Sequence, residues 1–467
     1  MIFPINQRMQ RHIEELKKLL GTRVSTEPEV LKAHATDKWH ASALPHAVVL
    51  AESTADVATA MKYAAEHGIP VTARGAGVGY VGGCVPVHGG IVISVAGMQR
   101  ILEVNPADGV VVVEAGVLTA DLQDACLQQG WFYPPDPASR KESSIGGNIA
   151  TNAGGPRCLK YGVTRAYVLG LEVVLADGRI LRCGGRTHKN KQGFDLVGLF
   201  CGSEGMLGII TEATLRIIPA PQARAALHAS FSQFAQAAAA VQNILQGGHL
   251  PAAMEITDAY TLAAARKYLG PSVLQQEAKG HIIVEIDGRA DSIGSELADI
   301  EQILRNTGAT EVVSATEEKA IEEIWQLRRE FSYSLKATGL TKLNEDIVIP
   351  RSALVELVDF CASMQQETGI PVACFGHSGD GNIHTNIMVL KDAQGQDIRP
   401  PADALVNRLF AWVMAHGGSI TGEHGIGLAK APWFRQAVGD VAIDVHRALK
   451  SALDPHNLLN PGKMGLS

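Results

Sequence analysis

The sequence predicts an α+β fold built in more than one domain, and three observations carry that reading. At 467 residues the chain is two to three times the ~150 residues of a typical domain. Its first half mixes β-branched strand candidates with few helices and many glycine-rich loops. At Pro219-Ala220-Pro221 the texture changes, and residues 224–350 read as a second α+β unit.

Taken in order, residues 8–20 read as an amphipathic helix ending at Gly21. Ala47–Leu50 is a short apolar strand. Ser53 is a good N-cap for a helix over Ala55–His67, which Gly68 stops. Strands are expected at Ile69–Ala73, Ile91–Val95 and Val110–Ala115, and a helix at Leu118–Gln129. Val168–Ala176 and Arg179–Arg182 flank Asp177-Gly178, the signature of a β-hairpin. Gly208–Pro219 is a further strand. In the second unit, His281–Asp287 is a strand between helices at Tyr260–Glu277 and Ile293–Gly308. Glu317–Lys336 is a long helix, a strand ends at Ile347–Pro350, and helices follow at Ser352–Thr368 and Ala402–His416.

Composition excludes several classes. Apolar residues are 46% and charged residues 19%, which rules out a disordered chain or a coiled coil. The formal net charge is −7, and no Lys/Arg block is long enough to grip a nucleic-acid backbone. No apolar run approaches the ~18 residues of a membrane span. The N-terminus M-I-F-P-I-N-Q-R lacks the apolar core of a signal peptide. The seven cysteines are scattered, with no C-x-x-C. That disfavours a disulfide framework or a cysteine-held metal cluster and suggests a reducing compartment, the cytoplasm.

The 48 glycines cluster. The loop Arg74-Gly75-Ala76-Gly77-Val78-Gly79-Tyr80-Val81-Gly82-Gly83 satisfies G-x-G-x-x-G after a strand. A dinucleotide-binding βαβ unit would also need a helix to open there. Here Pro86 and another strand follow instead. What remains is either a plain tight loop or a concavity whose backbone N–H groups face an anion beside Arg74. Pro134–Pro156 shows no helical or strand periodicity. It reads as a long functional loop rather than a linker, because its charge is low and Ile145 and Ile149 lie within it. Cys201–Glu212 is a glycine loop feeding a strand.

The sharpest cluster is Gly376-His377-Ser378-Gly379-Asp380-Gly381-Asn382-Ile383-His384-Thr385-Asn386. An Asp-Gly turn separates two histidines, and His384 and Asn386 share one face of the following strand. Two such histidines either pack against each other or converge on a divalent ion. Thr421-Gly422-Glu423-His424-Gly425-Ile426-Gly427 adds a carboxylate and another histidine. His377, His384 and Glu423 would make a two-histidine, one-carboxylate site for zinc, manganese or iron, with open positions. His424 would remain as a general base. Neither H-E-x-x-H nor G-x-S-x-G occurs.

With K-L-N-E-D and the terminal N-P-G-K, these motifs resemble the FAD-linked D-2-hydroxyacid dehydrogenases. That family has the vanillyl-alcohol-oxidase fold. It includes the flavoprotein subunit of bacterial glycolate oxidase, D-lactate dehydrogenase and D-2-hydroxyglutarate dehydrogenase. The resemblance runs from about residue 40 to the C-terminus. It implies an N-terminal helical segment (1–42), a two-subdomain FAD-binding domain (43–221), an α+β substrate or cap domain (222–420) and a segment returning to the flavin (421–467).

Carried over by motif, Arg74, Gly75, Gly77, Val78, Gly79, Gly82 and Gly83 would hold the FAD pyrophosphate. Pro135, Asp136, Ser139, Gly146, Gly147, Asn152 and Gly154 would line the cofactor. Glu204, Gly208 and Ile210 would follow its adenosine half, and Asn460 would approach the isoalloxazine. The catalytic set would be His424 as base, Arg328 pairing with the substrate carboxylate, and Asn386 facing the substrate. The ion would acidify the substrate hydroxyl, and a hydride would pass to the flavin to give the 2-oxo acid.

Val78 stands where some relatives carry a histidine that bonds covalently to the flavin, so the FAD is expected to be non-covalent. The implied acceptor is a quinone, an electron-transfer flavoprotein or an iron–sulfur subunit. A homodimer and a peripheral position at the inner membrane face are both compatible. The competing readings are a D-2-hydroxyglutarate dehydrogenase, a non-catalytic FAD-holding subunit and a metal-dependent hydrolase.

Overall fold

The computed structural model describes residues 7–270 and 274–466; the first six residues, read above as part of the N-terminus, lie outside it. The described chain divides into two compact units. The first holds the chain up to Gly154, Gly162–Ala220 and everything from Glu423 on, and the second holds Gly155–Tyr161 and Pro221–Gly422.

The first unit contains two main sheets. Strands β1 (Val24–Ser25), β2 (Ala47–Leu50), β3 (Val71–Arg74) and β4 (Ile91–Ser94) form one in the order β1-β2-β4-β3. Strands β2, β4 and β3 run parallel, and β1 is antiparallel to β2. The run I-V-I-S of β4 is buried throughout, as expected of a parallel strand covered on both faces. The helix Thr54–His67 begins where Ser53 accepts a bond from the Asp56 N–H and ends at Gly68 in the left-handed region.

Strands β5 (Ile101–Asn105), β6 (Val110–Glu114), β8 (Val168–Val174), β9 (Ile180–Gly184) and β10 (Ile209–Arg216) form an antiparallel sheet in the order β5-β6-β10-β8-β9. Strands β7 (Trp131–Phe132) and β11 (Ile218–Pro219) make a separate pair. The Asp177-Gly178 hairpin joins β8 to β9 as the sequence suggests.

Two readings need correction. The stretch Pro134–Pro156 contains a helix, Ile145–Thr151. Its two glycines hide it from propensity, and tertiary contacts build it. Ser144 caps it by accepting from Gly147 N, and Ile145 and Ile149 are buried one turn apart. A Cβ on Gly146 would stand 2.7 Å from that of Ala115, so the helix packs through its glycine. The helix expected over Tyr260–Glu277 spans Ala259–Leu269 and stops at Gly270, φ +107°; residues 271–273 are outside the description.

The second unit is a single antiparallel sheet of β12 (Ala223–Phe231), β13 (Ala253–Asp258), β14 (Gly280–Gly288), β15 (Ala309–Ala315), β16 (Thr341–Val348), β17 (Val372–His377) and β18 (Asn382–Val389). Its order is β15-β12-β14-β13-β17-β18-β16. Four of these strands, β12, β13, β15 and β17, went unread in the sequence. No helix among the described residues is long and apolar enough to cross a membrane.

Candidate active site

The first unit encloses a cavity of about 320 Å³ beside the loop after β3. Among the described residues, nothing takes up the backbone N–H groups of Gly75 through Tyr80, and these residues line the cavity. A run of unspent donors around a concavity is an anion cradle. Gly77 is at φ +74°, where a β-carbon is strained. The donor set therefore fits a pyrophosphate.

Arg74 borders the cavity, and both of its terminal nitrogens are bonded within the protein. Its guanidinium donates to the Thr36 carbonyl at 2.8 Å, the Ala33 carbonyl at 3.0 Å and Cys84 Sγ at 3.1 Å. It clamps the N-terminal segment.

The glycines expected at the cofactor other than Gly82 border the cavity, as do Val78, Ser139, Glu204, Ile210 and Asn460. Gly82, Pro135, Asp136 and Asn152 do not. Gly82 N donates to Asp37 Oδ2 at 2.8 Å, the Pro135 carbonyl accepts from Gln123, and Asn152 Oδ1 accepts from Arg165 N. Asp37, at the cavity wall, is a residue the sequence reading missed; its isolated position carried no local signal.

The returning C-terminal segment is sewn into this unit. The buried Glu204 carboxylate accepts from Ile426 N and Gly427 N, both at 2.7 Å. Burial raises its pKa, partly offset by these two bonds. Asn460 uses its whole amide: Oδ1 accepts from Ala73 N at 2.9 Å and Nδ2 donates to the Glu204 carbonyl at 2.6 Å. Glu423 and His424 line the cavity, and the His424 ring stacks on Tyr80 with centroids 5.1 Å apart.

The family models meet the chain on these elements. One described as "FAD binding domain" matches residues 45–184, and one described as "FAD linked oxidases, C-terminal domain" matches residues 220–464. The chain belongs to the FAD-linked oxidases. Glycolate oxidase subunit GlcD of Bacillus subtilis (strain 168) is 38% identical over 90% of this chain and 89% of its own. D-lactate dehydrogenase of Anaerostipes hadrus is 33% identical over 99% of this chain and 98% of its own.

Among solved structures, p-cresol methylhydroxylase with substrate bound superposes with a TM-score of 0.80 at 19% identity, covering 99% of this chain and 98% of that one. A 4-ethylphenol oxidase from Gulosibacter chungangensis gives 0.78 at 20%, with coverages of 99% and 98%. The fold is that of the vanillyl-alcohol-oxidase flavoproteins, and this member is an FAD-linked oxidoreductase.

In the second unit of this FAD-linked oxidase, one face of the sheet is polar. Register pairs Glu255 with His377, Phe375 with His384, and Asn386 with Asn344. Alternation then puts all six on the same face. The turn between the histidines requires glycine: Gly381 is at φ +85°, and a Cβ there would stand 2.0 Å from the Ile349 carbonyl oxygen. The His377 and His384 rings meet edge to face, 5.4 Å between centroids.

The helix Glu318–Lys336 reads this face through Trp325, Arg328 and Ser332, spaced three and four apart. Trp325 Nε1 donates to Glu285, Arg328 Nε to Glu255 Oε2 at 2.5 Å, and Ser332 Oγ accepts from Lys342 Nζ at 2.8 Å. The Arg328 guanidinium also lies 4.7 Å over the Phe375 ring.

Glu255 is 1% exposed. Its other oxygen bonds His377 Nδ1. Burial pushes its pKa up, but Arg328 and His377 together hold it at about 2. Burial, with Lys336 and Arg328 nearby, lowers Lys342 to about 8. Asn386 Oδ1 is buried with no hydrogen-bond partner among the described residues.

Sequence reasoning missed Glu255 and Lys342. The available signal for Glu255 was a charged residue inside the apolar strand A-M-E-I-T-D. Asp346, buried, accepts from Asn382 Nδ2, Thr421 Oγ1 and Gly422 N. It thereby pins the chain one residue before Glu423.

Proposed function

We propose that this FAD-linked oxidoreductase oxidises a D-2-hydroxy acid of the glycolate or D-lactate class to the 2-oxo acid. The observation that carries the reading is the Arg328 clamp. Its Nε is tied to Glu255 and its plane rests on Phe375. Among the described residues no hydrogen bond engages its two terminal nitrogens. A guanidinium held in this way presents a fork to a carboxylate. The names of the relatives, glycolate oxidase subunit and D-lactate dehydrogenase, point to the same substrate class.

Arg328 would fix the substrate carboxylate. Asn386 offers an unspent acceptor to the hydroxy acid, and the His424 imidazole would take the hydroxyl proton. The imidazoles of His377 and His384 and the carboxylate of Glu423 are the donor types that would suit a divalent ion, which would lower the hydroxyl pKa. FAD supplies the hydride acceptor. The electrons would leave to a quinone, an electron-transfer flavoprotein or an iron–sulfur subunit.

The test is anaerobic flavin bleaching with a panel of D- and L-2-hydroxy acids. Bleaching by glycolate or D-lactate supports the reading, and bleaching by D-2-hydroxyglutarate alone moves it to that branch. A flavin bleached by none of them refutes it and favours a non-catalytic subunit. Metal analysis of the same preparation tests the ion. His384→Ala should stay yellow but lose a stoichiometric ion, and a wild type without one removes the metal from the scheme.

A further inference from the structure

The pairing of β13 with β17 sets Glu255 beside His377, and the helix above lowers Arg328 onto the same carboxylate. One acceptor-only group thus receives two donors from elements 73 and 122 residues away in sequence. A carboxylate has no proton to give. The imidazole nitrogen facing it must therefore carry the hydrogen, which in the neutral ring leaves the lone pair on Nε2. The same carboxylate sets the roll of the guanidinium by accepting from Nε.

A guanidinium can spend all of its nitrogens within the protein. Arg224, in the same sheet, does so: Nε and both terminal nitrogens bond Glu285, Glu318 and Glu322. Arg328, though largely buried, spends only Nε among the described residues, which leaves its two terminal nitrogens for a ligand.

We propose that Glu255 is a positioning residue that at once fixes the Nδ1–H tautomer of His377 and the orientation of the Arg328 fork. The assignment rests on the functional reading of Arg328 and His377 above. It makes glutamine the informative substitution, because its amide has one acceptor and one donor. With its oxygen toward Arg328, its NH2 faces His377 Nδ1, and the ring proton must move to Nε2. With its oxygen toward His377, its NH2 opposes the Arg328 Nε–H, two donors meet, and the guanidinium turns away. Glu255→Gln nearly keeps the shape and cannot keep both contacts.

The experiment uses the flavin-loaded full chain, chelator-treated, with 15N-labelled histidine. The His377 signal is assigned by its loss in His377→Gln. Long-range 1H–15N spectra should show the wild-type ring protonated at Nδ1 and bare at Nε2. A wild-type ring carrying a proton on Nε2, neutral or cationic, overturns the proposal without any variant being needed. Two titrations follow on wild type and Glu255→Gln: Zn2+ by competition with a chromophoric chelator, and oxalate by calorimetry as a non-reacting dicarboxylate.

The glutamine variant should move the tautomer and weaken Zn2+ by about 10–100-fold, the usual effect of losing a partner behind a histidine ligand. Alternatively it should keep the tautomer and weaken oxalate by a similar factor. An unchanged tautomer together with unchanged oxalate affinity overturns the proposal. If the wild type binds no Zn2+, the metal reading falls, and the tautomer and oxalate arms still decide the role of Glu255.

Discussion

Replacing Gly77 with alanine tests whether the anion cradle needs glycine for its backbone or for the arginine behind it. Gly77 sits at φ +74°, and a Cβ there would stand 2.1 Å from a terminal nitrogen of Arg74 and 2.3 Å from its central carbon. The left-handed backbone alone costs an alanine about 1–2 kcal/mol. Moving the guanidinium breaks at least one of its bonds to the Thr36 and Ala33 carbonyls, each worth about 1.5–3 kcal/mol for a charged donor. The expected loss is about 3–5 kcal/mol.

Gly130→Ala is the control. It lies in the same unit at φ +75° with nothing within 4 Å of a new Cβ, so it bears only the backbone cost. Urea unfolding of flavin-stripped protein, followed by circular dichroism, should separate the two variants by about 1.5–3 kcal/mol. In an Arg74→Met background that gap should close, as a double-mutant cycle requires of coupled neighbours. Equal losses for Gly77→Ala and Gly130→Ala, or a gap that survives without Arg74, would refute the reasoning.

Other outcomes are equally specific. Arg328→Lys should raise KM for 2-hydroxy acids nearly as much as Arg328→Ala. An ammonium bound to Glu255 cannot also present a fork, and full rescue by lysine in steady-state assays would argue against the clamp. Acid precipitation should release the flavin into the supernatant, because Val78 offers no attachment atom and no histidine or cysteine lies in Arg74–Gly83; flavin in the pellet contradicts this. Lys342 titrates near 8 when folded and near 10.4 when unfolded. Between those values the unfolded chain holds the extra proton, so this group makes stability rise with pH. Lys342→Met should flatten that slope in urea titrations across the window, and an unaltered slope would show that the lysine is not desolvated.

Much of the site is local and therefore readable in the sequence. The Asp-Gly turn needs only neighbouring residues, so the placement of His384 and Asn386 on one face follows from strand periodicity alone. The helix carrying Arg328 declares itself through its apolar spacing, and Ser53 and Gly68 mark the limits of theirs. Rejecting a dinucleotide-binding helix after Gly82 needed nothing beyond Pro86.

What only the tertiary structure decided is what depends on partners distant in the chain. The Ile145–Thr151 helix exists because Gly146 packs on Ala115, a gain that local propensity cannot register. Arg74 looks like a phosphate ligand until Thr36 and Ala33 arrive to take its donors. Glu255 is an unremarked charge in a strand until sheet register brings His377 beside it and a helix brings Arg328. Side-chain type and periodicity are properties of the sequence, but the satisfaction of a buried donor or acceptor is a property of the assembled neighbours. For that reason the residues proposed to hold ligands were legible in this chain, and Glu255, proposed to orient them, was not.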